Sequence, residues 1–167
     1  MKKLPACTTC VQTGFLCTNC QENLDNGVIS QFELDLAKDL IDLEEKFSYL
    51  KDVSFFKAID FEDVVILVVG KKDKLRITTE LKDWIKETYE IDKLILIENT
   101  KKPRPVIEAL IAPYKILSLN EIFLATGDVQ FKAILFKKDQ DKILFTKEEL
   151  EDLILELTGN ITRIEFQ

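Results

Sequence analysis

The sequence predicts an α+β fold of the α/β-sandwich kind: a cysteine-rich head followed by two small units, each with helices on one face of a sheet. Three observations predict it. All four cysteines of the 167-residue chain lie within its first twenty positions. Apolar residues recur at helical spacing in some stretches and alternate or run unbroken in short others. Finally, the order helix, strand, strand, helix, strand occurs twice, with the closing strands about seventy residues apart.

The head, residues 1–28, carries Cys7-Thr-Thr-Cys10 and Cys17-Thr-Asn-Cys20, two Cys-x2-Cys pairs separated by six residues. Four thiolates delivered from two tight turns, with Gly14 in the gap, match the tetrahedral all-sulfur ligation that Zn²⁺ favours. A closed structural zinc knuckle is the leading expectation. Three other chemistries use the same residues: disulfides, which need an oxidising compartment, a reactive dithiol pair, and iron in a rubredoxin-like site.

The first unit, 29–99, opens on the capping box Ser30-Gln-Phe-Glu33. Phe32, Leu36, Leu40, Leu43, Phe47 and Leu50 recur at steps of three or four, which predicts one long amphipathic helix across all of them. Residues 53–59 and 64–69 read as strands joined by the polar turn 60–63. The second is apolar on both faces and therefore central. A helix is predicted from Asp73 to Tyr89, then a strand over 93–98. Residues 99–104, with Pro103 and three basic side chains, read as a linker.

The second unit, 100–167, repeats the order. Pro105 and the run Val106, Ile107, Leu110, Ile111 predict a short helix that Pro113 ends. Residues 119–124 and 129–136 form a hairpin, 137–142 a charged loop, and Thr146-Lys-Glu-Glu149 caps a helix that Gly159 terminates. A closing strand follows over 161–166.

Charge and composition narrow the function. With 23 basic and 30 acidic residues the formal charge is −7, so the global field repels polyanions and any nucleic-acid contact must be local. Two basic clusters stand out: Lys71, Lys72, Lys74 and Arg76, and then Lys101, Lys102 and Arg104. Either is also consistent with a solvated turn. Trp84 and Tyr89 read as core or helix-edge residues because they share the helical apolar spacing, and Phe55, Phe56, Phe123, Phe131 and Phe136 read as mainly core.

There is no histidine, the commonest general base and zinc-hydrolase ligand. The five glycines are too dispersed to build a phosphate or dinucleotide loop. The expectation is a protein that is not an enzyme and has no small-molecule substrate. The longest apolar run, 64–69, is too short to span a bilayer, so a soluble cytoplasmic protein without a membrane partner is expected.

The doubled order resembles paired type-II K-homology (KH) domains, the arrangement in the NusA family of transcription factors. With the four-cysteine knuckle, and the endings Leu157-Thr-Gly-Asn160 and Arg163-Ile-Glu-Phe166, residues 30–167 are similar to archaeal NusA-like KH proteins that carry an N-terminal zinc finger. That resemblance implies a factor of archaeal transcription or translation whose partner is RNA or a ribonucleoprotein, with a transcription or ribosomal protein as a further partner. Its RNA clamp is a Gly-x-x-Gly loop. Here the matching places, within 71–80 and 137–142, carry no glycine pair, which leaves electrostatic contact through the two clusters. The departure also opens a second reading, a protein-interaction adaptor whose KH units no longer hold nucleic acid. An iron–sulfur electron carrier is the third.

Overall fold

In the computed structural model, which describes residues 1–167, each Cys-x2-Cys pair opens a short helix instead of closing a free turn. Helix α1 (Thr8–Thr13) has Cys7 at its N-cap, and α2 (Thr18–Asp25) has Cys17 there. Positions three apart at a helix start share one side, so this spacing returns the second sulfur of each pair toward the first. Gly14 ends α1 in the left-handed conformation, φ 74°, open to glycine without strain. Residues 1–28 are not a separate body. The chain forms two compact units, 1–99 and 100–167, and Val11 of the head is buried in the core of the first.

Helix α3 (Gln31–Asp42) starts at the predicted capping box, with Ser30 and Glu33 exchanging bonds. It stops at Asp42 and does not run on to Leu50. Asp39, Asp42, Glu44 and Glu45 crowd the negative end of the helix dipole, and no basic residue in the last turn offsets them. The chain turns there. The Phe47 N–H bonds the Leu43 carbonyl at 2.7 Å, and a 3₁₀ turn over Ser48–Asp52 follows, so that Phe47 and Leu50 reach the core from a different direction.

Strands β1 (Phe55–Phe61), β2 (Val64–Val69) and β3 (Lys93–Glu98) form a sheet in that order, β1 antiparallel and β3 parallel to β2. All six residues of β2 are buried, as its unbroken apolar run predicts for a central strand. A parallel neighbour needs a crossover. It is made by a 3₁₀ turn at Asp73–Leu75 and helix α4 (Thr79–Thr88). The helix predicted from Asp73 therefore begins six residues later, where the Thr78 hydroxyl accepts the Leu81 N–H as N-cap. Leu36 and Leu40 of α3, Leu81 and Ile85 of α4, and Val65 and Leu67 of β2 fill the core between helices and sheet.

The second unit holds α5 (Pro103–Ile111), β4 (Ile116–Phe123), β5 (Val129–Leu135), α6 (Lys147–Thr158) and β6 (Thr162–Phe166). Helix α5 starts inside the predicted linker, with Pro103 in its first turn. The sheet order is β4-β5-β6, again one antiparallel and one parallel pairing. Residues 137–142, expected as a loop, form a 3₁₀ turn. Thr146 and Glu149 make the predicted capping box, and Gly159 ends α6 at φ 75°. Both units are thus α+β. No helix is long and apolar enough to cross a membrane.

Two features separate prediction from structure in this unit. Burial fades along β4 toward the hairpin turn, leaving Phe123, expected in the core, 75% exposed. The triplet Lys71-Lys72-Asp73 also recurs as Lys137-Lys138-Asp139, in each case one residue beyond the middle strand of its sheet, and both aspartates are buried.

Candidate functional site

The Sγ atoms of Cys7, Cys10, Cys17 and Cys20 all lie within 4.8 Å of one another, and none is in a disulfide. Four thiolates about 2.3 Å from one ion in tetrahedral array stand roughly 3.8 Å apart, so the cluster has the dimensions of an all-sulfur site. Cys10 and Cys20, one turn into their helices, are buried, while Cys7 and Cys17 at the N-caps are exposed. The Cys17 N–H donates to Cys10 Sγ at 3.1 Å, the amide-to-sulfur contact that orients a ligand.

The cluster polarises its own thiols. The backbone N–H of Cys20, with further help from the Cys10 thiol, draws the Cys17 thiol down to about 7. Its hydrogen bond with Cys7 pushes Cys10 up to about 12. A cation in their midst is what lets four thiolates stand together, and a soft sulfur set selects soft or borderline metals over Ca²⁺ or Mg²⁺. The residues are thus a four-cysteine cluster able to hold a metal ion.

Of the first basic cluster, Lys71, Lys72 and Arg76 line a cleft of about 500 Å³ together with Lys2, Asp52 and Asp73. Lys74 is exposed and lies outside it. Lys2 was not foreseen. It arrives because Lys3 bridges Ser54 and the Lys2 N–H bonds the Val53 carbonyl at 2.9 Å, a pairing across fifty residues that leaves no local pattern. Asp52 and Asp73 lie 3.8 and 3.9 Å from Arg76 and offset part of its charge.

The turn that presents these lysines is built on Asp73, whose Oδ2 accepts the Ser54 N–H at 2.9 Å. A Cβ on Gly70 would stand 2.3 Å from that oxygen and 3.2 Å from Ser54 Cβ. Gly70→Ala is therefore expected to cost about 1–3 kcal/mol in urea unfolding, because the buried carboxylate must leave its partner. A cost under about 0.5 kcal/mol would show that the turn yields freely. Lys72 itself sits in the left-handed region, φ 67°, with its N–H donated to Glu98 Oε1 at 3.0 Å.

Lys101, Lys102 and Arg104 rim a larger cleft of about 750 Å³ in the second unit, with Leu119, Phe131 and Asn160 also on its walls. Asn160 Nδ2 donates to the Lys101 carbonyl at 2.6 Å and so ties the end of α6 to the start of α5. Arg104 reaches Glu108 at 3.5 Å. Phe131, expected in the core, is only partly buried and lines this cleft, because it lies on the half of the hairpin where burial fades. Alternation alone does not separate a strand residue under a helix from one beyond it.

No protein-family model matches the chain, and no curated protein matches it. Among solved structures it is similar to one described as the crystal structure of APE1850, at 15% sequence identity and a TM-score of 0.50. The likeness covers 76% of this chain and 96% of that one. At this identity it speaks of the fold alone.

Proposed function

We propose that the chain is a non-enzymatic factor that associates with RNA or a ribonucleoprotein in archaeal transcription or translation. Its head is held by structural Zn²⁺, and its two KH-like units touch phosphates electrostatically. The observation that carries this reading is the gathering of cations: in a chain of net charge −7, three residues of each basic cluster line a cleft within their own unit. The repeated order of elements supports it, being the feature on which the KH resemblance rests. Zinc is preferred to iron for a closed four-sulfur site set at the N-caps of two short helices, where its role is to tie them together. A colourless purified protein with one zinc per chain agrees with this; a red, iron-bearing one does not.

Titration of labelled single-stranded RNA at two salt concentrations tests the RNA reading. Lys71→Gln with Lys72→Gln is expected to weaken binding severalfold and to reduce the slope of log K against log salt by about 1.4, as two phosphate contacts on a single strand require. No binding at low salt overturns it.

A second reading, the protein adaptor, draws support from the exposed apolar residues Phe123, Ile122 and Val129 at the hairpin. Pull-down with and without nuclease distinguishes the two: partners that persist after nuclease favour the adaptor.

A further inference from the structure

We propose that the cleft of the second unit is a site for a nucleoside phosphate, with one base stacked on Phe131 and its phosphate held by Lys101, Lys102 and Arg104. The site takes either one nucleotide of a single-stranded RNA, which rests on the reading above, or a free nucleotide, which does not.

The cleft has the size and the division of chemistry that such a ligand needs. Its volume of about 750 Å³ falls in the range of small-molecule sites. Its three cations come from four consecutive residues, Lys101 to Arg104, at the start of α5. Pro103 and Pro105 lack an N–H at the first and third positions of that helix, so the terminus offers few amides to an anion. Side-chain charge must therefore do the holding, which suits a phosphate that carries its own flexible linkage.

The rest of the lining is of a different kind. Leu119 and Phe131 present apolar surface inside a cleft, where an aromatic ring gains most from a flat partner. In register, Phe131 lies between Glu121 on β4 and Thr162 on β6. The Glu121 carboxylate also lines the cleft and accepts hydrogen bonds, as from an exocyclic amine or a ribose hydroxyl. An acidic peptide would also answer the basic rim, but Glu121 within the cleft repels carboxylates while leaving a neutral base free to enter.

This cleft lies at the C-terminal end of α6, where Thr158, Gly159 and Asn160 border it. The glycine-poor turn that precedes α6 is at the other end of that helix. A nucleotide held here would not depend on the missing glycine pair.

The test uses the full zinc-loaded chain with a labelled ten-nucleotide single-stranded RNA, AMP, and a polyglutamate peptide as probes. Phe131→Leu keeps the wall filled and removes the ring; it is expected to weaken binding about tenfold with little change in melting temperature. Lys102→Gln, at an exposed position, serves should Phe131→Leu lower stability; it is expected to weaken RNA binding severalfold and reduce the salt slope by about 0.7. RNA binding that responds to both changes supports the site in its RNA form. AMP binding that responds to both, with no RNA binding, supports the free-nucleotide form and removes the RNA reading. RNA binding abolished by Lys71→Gln with Lys72→Gln, yet indifferent to Phe131→Leu and Lys102→Gln, overturns the site while the RNA reading stands. Binding of polyglutamate alone, or of no probe, overturns it as well.

Discussion

Glu33→Ala is expected to lower the stability of the first unit by about 2–4 kcal/mol, because one carboxylate closes two structural joints at once. Its Oε2 accepts the Ser30 N–H at 2.7 Å and completes the capping box of α3, while Oε1 accepts the Ala58 N–H of β1 at 2.8 Å. The side chain is 2% exposed, so the buried Ala58 amide loses its acceptor in a place water does not reach, whereas the amide of the exposed Ser30 turns to solvent. The orphaned Ala58 N–H costs roughly 1–3 kcal/mol, and loss of the reciprocal capping-box bond adds about 1 more, while the residue-33 N–H keeps its bond to Ser30 Oγ. The charge itself is tolerable because it faces two N–H donors at the positive end of a helix. Glu33→Gln keeps the shape but turns an NH₂ toward one of those donors, and about half the loss is expected. Urea unfolding followed by the fluorescence of Trp84, the chain's single tryptophan and a member of this unit, measures both. A loss under about 1 kcal/mol for Glu33→Ala would mean that the helix and strand are not joined through this group.

Cys20→Ser is expected to abolish stoichiometric metal binding and to unfold the head. Helices α1 and α2, of six and eight residues, are far too short to persist unaided. Ligation energy in four-sulfur sites, of order 10 kcal/mol, is largely folding energy. The damage should spread into the first unit, since Val11 is buried in its core and Leu4, Leu16 and Leu24 pack against it. The melting temperature read through Trp84 is expected to fall by more than about 5 °C, whereas exchange protection of β4, β5 and β6 stays as it was. Chelation of the unaltered protein should reproduce both results. A chelated chain that melts as before would show that the sulfurs are bystanders to stability.

How far the fold could be read from the sequence depended on whether a signal was local. Caps were legible at Ser30 and Thr146 because a capping box is a contact between positions three apart. The central strand β2 was legible because six consecutive apolar residues have no other good place. Periodicity carries the helix on through Leu43 to Leu50 because it counts the apolar stripe alone and not the acidic charges at the helix end. The same holds at Asp73, where a helical pattern runs through a turn that the Ser54 amide holds from nineteen residues away.

The sequence by itself determined that four sulfurs would be offered in two matched pairs, that two α+β units would follow, and that seven of the 23 basic residues would gather in two short clusters of an acidic chain. Each is a matter of spacing or count along one strand of polymer. Tertiary structure alone decided which cations share a cleft, that Lys2 joins Lys71 and Lys72 while Lys74 stays outside, and that Phe131 faces a cavity instead of a helix. Those outcomes depend on pairings between distant segments, Lys3 with Ser54 and β5 with β4 and β6, and a chain closes such loops for the sake of its whole core rather than of any local pattern.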